Sequence, residues 1–136
     1  MGAFRVPPAL VRLGARQISH RALNNPRLPW EAQRRRLSWL VRSWPLPQGT
    51  SVTDTALNGI PAEVVTARGG TAAVTVVHFH GGGYCVGLPA EARNWAAHLS
   101  ARAGCRVILP GYRLAPEHAY PAALEDARAV MAEVLA

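Results

Sequence analysis

The chain contains no lysine, and all fifteen of its basic residues are arginine. That excludes the P-loop, whose lysine reaches the phosphates from the end of a glycine-rich turn. Cysteine is nearly as scarce, with only Cys85 and Cys105. Two isolated cysteines make neither a disulfide framework nor a zinc motif, so a reducing compartment, the cytoplasm, is expected. Long apolar runs are absent too. No stretch of about 18 apolar residues exists to span a membrane. Arg5, Arg12 and Arg16 interrupt the N-terminal segment before it reaches the apolar length of a signal peptide.

Acidic residues are missing where the bases concentrate. Nine of the fifteen arginines fall in residues 1–42, against the single acid Glu31, whereas residues 43–136 are close to neutral. A nucleic-acid-binding domain carries its charge on the folded body, so no nucleic-acid partner is expected. With 49% apolar and 17% charged residues over 136 positions, the chain has the makeup of one globular core, not of a disordered segment.

The pattern along the chain predicts helices over residues 7–23 and 30–44, separated by NNPRLP. In the second, Trp30, Leu37, Leu40, Val41 and Trp44 recur at helical spacing with Arg34, Arg35 and Arg36 between them. PLPQG then reads as a linker. SVTDTALNGIPAEVVTA holds two β-prone runs around Asn58-Gly59, the dipeptide suited to positive φ, and predicts a hairpin. A second turn signal, Arg68-Gly69-Gly70, precedes AAVTVVHFH, which reads as a strand covered on both faces. Pro89 opens a helix with Ala92, Trp95, Ala96, Leu99 and Ala103 inward, and Gly104 closes it. CRVILP follows as a strand, so strand, glycine loop, helix and strand form a parallel βαβ crossover. Pro121 starts a last helix with Leu124, Ala127, Val130, Met131 and Val134 inward, and Glu125 and Asp126 near its positive end. The fold class is therefore α/β.

Three consecutive glycines in VVHFHGGGYCVG, residues 76–87, mark a place where the backbone comes close to something. The dinucleotide pattern GxGxxG fails, because Val86 stands three residues after Gly83. His78 and His80, two apart on a strand, have the spacing of a metal pair, but further ligands would have to come from His98, His118, Glu117 or Asp126 by coincidence of folding. Two packed, backbone-bonded histidines are the simpler expectation, and no metal or cofactor is expected. Acyl transfer fits better. Two backbone N–H groups aimed at a developing oxyanion need an approach free of side chains, and HGGG is a form that this takes in lipases and esterases.

HFHGGGYCVG followed about thirty residues later by LPGYRLAPEHAYPAALEDA resembles the N-terminal half of the hormone-sensitive-lipase-like family of α/β-hydrolases. The likeness runs from the hairpin near Ser51 to residue 136, and residues 1–50 resemble the family's helical N-terminal cap in position and amphipathic character only. The resemblance implies a mostly parallel sheet flanked by helices and starting with an antiparallel hairpin, acting on a small-molecule ester. It implies that Gly82 and Gly83 donate the two oxyanion N–H groups, that Gly81 permits the turn and that His80 braces it. It also implies that Tyr112, Arg113, Glu117 and His118 hold the next loop against this one. Adjacent Glu117 and His118 could instead be an acid–base pair, though neighbours on a loop usually point apart. Ala119 and Gly111 depart from the family pattern, where Pro and a polar residue are common.

The family's nucleophile is a serine in GxSxG on a strand-to-helix turn, followed by an acid and a histidine. None of Ser19, Ser38, Ser43, Ser51 and Ser100 has that setting; only Ser51 has even one of the glycines, Gly49, and it precedes a strand. Cys85 lies beside the glycines, but packing beneath the loop is its simpler role. The expectation is a chain truncated before the nucleophile strand, inactive alone, with an unpaired parallel edge beside the strand that ends in His80. Two other readings stay open: a non-catalytic binding module or degenerate pseudo-enzyme of the same family, and peripheral contact of residues 1–44 with an anionic membrane surface through their arginines and tryptophans.

Overall fold

Asn58 and Gly59 turn the chain at φ of 47° and 81°, both in the left-handed region that a tight two-residue hairpin requires. The structure, a computed structural model, describes residues 28–42, 44–68 and 73–136. The turn joins β1 (Ser51–Leu57) to β2 (Ile60–Thr66) in antiparallel register from Ser51↔Thr66 to Leu57↔Ile60. Its tip is docked: the Asn58 side chain donates to the Ala129 carbonyl at 2.9 Å, and its backbone N–H to Glu133.

β3 (Thr75–Val77) and β4 (Arg106–Pro110) are parallel and joined through a short 3-10 turn at Pro89–Ala92 and helix α2 (Arg93–Ala103). The sheet order is β1-β2-β4-β3, with β2 and β4 antiparallel. α2 ends as expected at Gly104, whose φ of 63° is the left-handed helix stop and whose N–H returns to the Ser100 carbonyl. Ser100 is fully buried; its hydroxyl accepts the Ala67 N–H at 2.9 Å and donates to the Cys105 carbonyl, tying the ends of β2, α2 and β4 together.

Alternation along the strands sorts the core. Val65, Cys105, Val107 and Leu109 share a face with Ala92, Ala96 and Ala97 of the α2 region. Helix α3 (Ala122–Val134) packs against β1 and β2, and Ala62 and Ile108 are buried on the sheet face turned away from α2. Over residues 30–44 the predicted helix is α1 (Trp30–Arg42); Leu37 and Val41 bury against Ala90 and Leu88. The helix expected over 7–23 and the Gly69-Gly70 turn lie outside the described residues.

Three expectations need correction. The strand expected over AAVTVVHFH is only Thr75–Val77, half-buried, because it is an edge strand whose described partner is β4 alone. Trp95 is 50% exposed and Ala103 exposed, while Ser100 joins Ala96 and Ala97 inside: small residues let α2 approach the sheet, and the indole instead lies 4.9 Å from the His78 ring. Leu124 is largely exposed as well, and Asp126 takes the buried position on α3.

Leu109 is 1% exposed in the main cluster, so Leu109→Ala should cost about 2–5 kcal/mol of unfolding free energy. Trp39→Ala, at a side chain 78% exposed, should stay within about 0.5 kcal/mol. Denaturant midpoints of the two variants check both values, and equal losses would contradict this assignment of the core.

Candidate active site

The segment after β3 continues the ladder for one bond, His78 N–H to Ile108 carbonyl at 2.9 Å, and then leaves the sheet. At Gly82 φ reaches 122°, and the Gly82 carbonyl accepts N–H groups from Cys85 (3.2 Å) and Val86 (3.1 Å), closing a tight turn. A β-carbon on Gly82 would stand 2.1 Å from the Val86 carbonyl oxygen, so no other residue fits there. Gly83 has φ of 61° but open space around it. Among the described residues, the N–H groups of Gly82 and Gly83 have no intramolecular acceptor.

His80 is buried at the base of this turn. Its ring stacks on Tyr112 with centroids 4.3 Å apart and 18° between planes, and its Nδ1 donates to the Gly81 carbonyl at 2.8 Å. The Tyr112 hydroxyl donates to the His80 carbonyl. Burial lowers the His80 pKa, the Gly81 bond opposes that, and nearby His78 adds a small lowering; the neutral ring is favoured. His78 has a different ring partner, Trp95, and among the described residues no group of three or more His, Cys, Asp or Glu is placed to hold a metal.

The loop after β4 carries the other expected residues. Arg113 is fixed by Asp126: its backbone N–H donates to Oδ2 at 2.8 Å, and its guanidinium lies 2.7 Å from Oδ1. Asp126 is 2% exposed; burial pushes its carboxyl up, but the side-chain and backbone hydrogen bonds from Arg113 outweigh that and hold it below the usual carboxylate range. Glu117 faces Arg34 of α1, both carboxylate oxygens accepting at 2.9 Å, and Arg34 holds its pKa down. The carboxylate of Glu117 is thus engaged by Arg34, while exposed His118 lines the cleft. That cleft, about 690 Å³, is bounded by Gly81, Gly82 and Gly83 on one side and by Tyr112, His118 and Tyr120 on another. Half-buried Cys85 serves the loop through its carbonyl, which accepts Arg34 Nε at 2.7 Å.

Three residues have a part in this arrangement that was not read from the sequence. Arg34 stands three residues before Leu37 and seven before Val41, hence on the buried face of α1, which was the available signal. Asp126, four residues before Val130, sits on the buried face of α3, where a carboxylate demands a cation. Gly87 has φ of 110°, and a β-carbon there would lie 2.2 Å from His80 Nδ1; nothing local marks it.

Residues 76–136 match the family described as the alpha/beta hydrolase fold. The carboxylic ester hydrolase LipN of Mycobacterium tuberculosis is 38% identical over 104 residues, covering 72% of this chain and 27% of that protein. Among solved structures, an esterase from the bacterial hormone-sensitive lipase family matches 97% of this chain and 44% of its own, with 32% identity and a TM-score of 0.81. A hormone-sensitive lipase from a metagenome library matches 98% and 44%, with 28% identity and a TM-score of 0.85. Together these matches support a partial chain of an α/β-hydrolase similar to the hormone-sensitive-lipase-like family, and the chain spans less than half of these relatives. Among the described residues no helix is long and apolar enough to cross a membrane.

Of the three lowered pKa values, those of the buried side chains His80 and Asp126 set a sign for acid stability. His80 contributes fully above its unfolded value of about 6.5 and loses that contribution as pH falls through its folded value; Asp126 does the same from about 3.9 downward. Stability measured against pH should therefore decline in two steps on acidification. His80→Phe should remove the upper step and Asp126→Asn the lower; a profile unchanged by either substitution would contradict the arrangement.

Proposed function

We propose that these residues are the N-terminal part of a serine carboxylesterase or lipase and supply its oxyanion hole through the N–H groups of Gly82 and Gly83. The observation that carries this is the pair of unengaged N–H groups bordering a cleft beside a turn only glycine can make. In such a reaction a serine oxygen attacks the ester carbonyl carbon, a histidine takes the serine proton, and the carbonyl oxygen becomes an oxyanion. The two N–H groups donate to that oxygen as charge develops, a contribution worth about 3–4 kcal/mol per donor in other enzymes. The alcohol leaves with the proton, and water repeats the sequence on the acyl-enzyme. The serine, acid and histidine would come from residues outside these 136, and no cofactor is needed.

On this reading His80 and Gly81 shape the turn, and Tyr112, Arg113, Glu117 and His118 brace it from the neighbouring loop. Residues 1–50 would be a helical cap segment, residues 51–136 the first half of the hydrolase domain, and a small-molecule ester the substrate, in the cytoplasm. LipN, named a carboxylic ester hydrolase, supports the ester class.

A fluorophosphonate, which captures activated serines, is the direct test. The isolated 136-residue chain should neither react with it nor hydrolyse p-nitrophenyl butyrate, whereas a native species captured with an antibody to residues 51–136 should be longer and labelled. A labelled 136-residue chain would overturn the placement of the nucleophile, and a native species that binds esters saturably without labelling would favour the binding-module reading.

The outer side of α1 supports a secondary proposal of lipid contact, because Trp39 is 78% exposed with Arg35 and Arg36 exposed beside it. Co-sedimentation with vesicles containing phosphatidylserine, reduced several-fold by Trp39→Ala and absent with neutral vesicles, is expected; binding indifferent to lipid charge would contradict it.

A further inference from the structure

α1 meets the rest of the molecule through two kinds of contact. Leu37 and Val41 pack on Leu88 and Ala90, just beyond the glycine loop. One turn earlier, Arg34 presents a planar fork of donors to two loops at once. Nε donates to the Cys85 carbonyl at 2.7 Å, Nη2 to the Ala115 carbonyl at 2.6 Å, and Nη1 and Nη2 to the two Glu117 oxygens.

The placement of these acceptors matters. The Ala115 N–H already donates to the Tyr84 carbonyl at 2.8 Å, so one backbone strap joins the glycine loop to the loop after β4. Arg34 adds a second strap through the next residue of the glycine loop, Cys85, and through the carbonyl of the same Ala115. The Cys85 N–H in turn donates to the Gly82 carbonyl. A single side chain of α1 is therefore one peptide away from the turn that sets the direction of the Gly82 and Gly83 N–H groups. The Arg34 side chain is 23% exposed, shielded enough for charge-assisted bonds to carbonyls to hold it in one geometry. Lysine, a point charge on a flexible stem, cannot bridge the same acceptors.

We propose that Arg34 is a positioning residue that couples the seating of α1 to the conformation of the Gly82-Gly83 turn. When α1 is seated, Arg34 clamps Cys85 to Ala115 and the turn is held; when α1 shifts, the second strap opens and the turn loosens. The structural part of this stands on the contacts alone, and its catalytic consequence rests on the oxyanion-hole reading of the two glycines.

Amide hydrogen exchange separates the two parts. In Arg34→Ala the N–H groups of Cys85, Val86 and Ala115 should exchange about tenfold or more faster, while those of Val107 and Leu109 in β4 keep their protection. Arg34→Lys should behave like Arg34→Ala, millimolar guanidinium should restore part of the protection to Arg34→Ala, and Glu117→Gln, which keeps the carbonyl contacts, should show a smaller effect. Unchanged exchange at the three loop amides overturns the proposal, and so does equal acceleration in β4, which marks general destabilisation. If Arg34→Ala does not fold, the comparison of Arg34→Lys with Glu117→Gln decides the same point. In ester hydrolysis by the native protein, Arg34→Ala should lower kcat by about 10- to 100-fold with KM nearly constant. Faster loop exchange with kcat unchanged supports the clamp and contradicts the oxyanion-hole reading instead.

Discussion

A β-carbon on Gly82 would stand 2.1 Å from the carbonyl oxygen of Val86, and the fold of the whole site follows from that closeness. The chain leaves the sheet, reverses within five residues and re-enters a helix. Only a residue free to take φ of 122° with no side chain can sit at the inside of that reversal. Gly87 repeats the constraint on the other side, where the His80 ring fills the place of a β-carbon. His80 is thus wedged between the two ends of the loop, and its stacking on Tyr112 carries the constraint across to the loop after β4.

The rest of the molecule can be understood as layers of support for this turn, each using a different kind of interaction. Dispersion and burial hold β4 and α2 together through Val107, Leu109, Ala96 and Ala97. Next outward, two arginines work with carboxylates. Arg113 pairs with buried Asp126 and anchors its loop to α3, while Arg34 pairs with more exposed Glu117 and reaches from α1 into two loop carbonyls. The pairs differ in worth: an exposed ion pair adds little in water, so Arg34 matters chiefly through its geometry, whereas loss of Arg113 would leave the buried Asp126 carboxylate without its cation.

Much of this was legible in the sequence wherever structure is encoded by neighbours. Asn58-Gly59 specifies its hairpin turn, Gly104 its helix stop, and the run of three glycines between strand and helix its reversal. Helix faces were read less well. Periodicity placed Trp95 and Leu124 inside because both are apolar, but small Ala96, Ala97 and Ser100 let α2 lie closer to the sheet than an indole allows, and Arg113 made a carboxylate the better occupant of the α3 interior. The strand into the glycines was read too long, since a strand's extent depends on its partners. Arg34 and Glu117 are 83 positions apart, and no local pattern tells which of fifteen arginines will meet which carboxylate.

The most direct test of the central proposal is a structure of the native protein after reaction with a phosphonate. One phosphonate oxygen should lie about 2.7–3.1 Å from both the Gly82 and Gly83 nitrogens. An adduct whose oxygens point away from this turn, or whose negative charge is held by other donors while Gly82 and Gly83 face solvent, would contradict it.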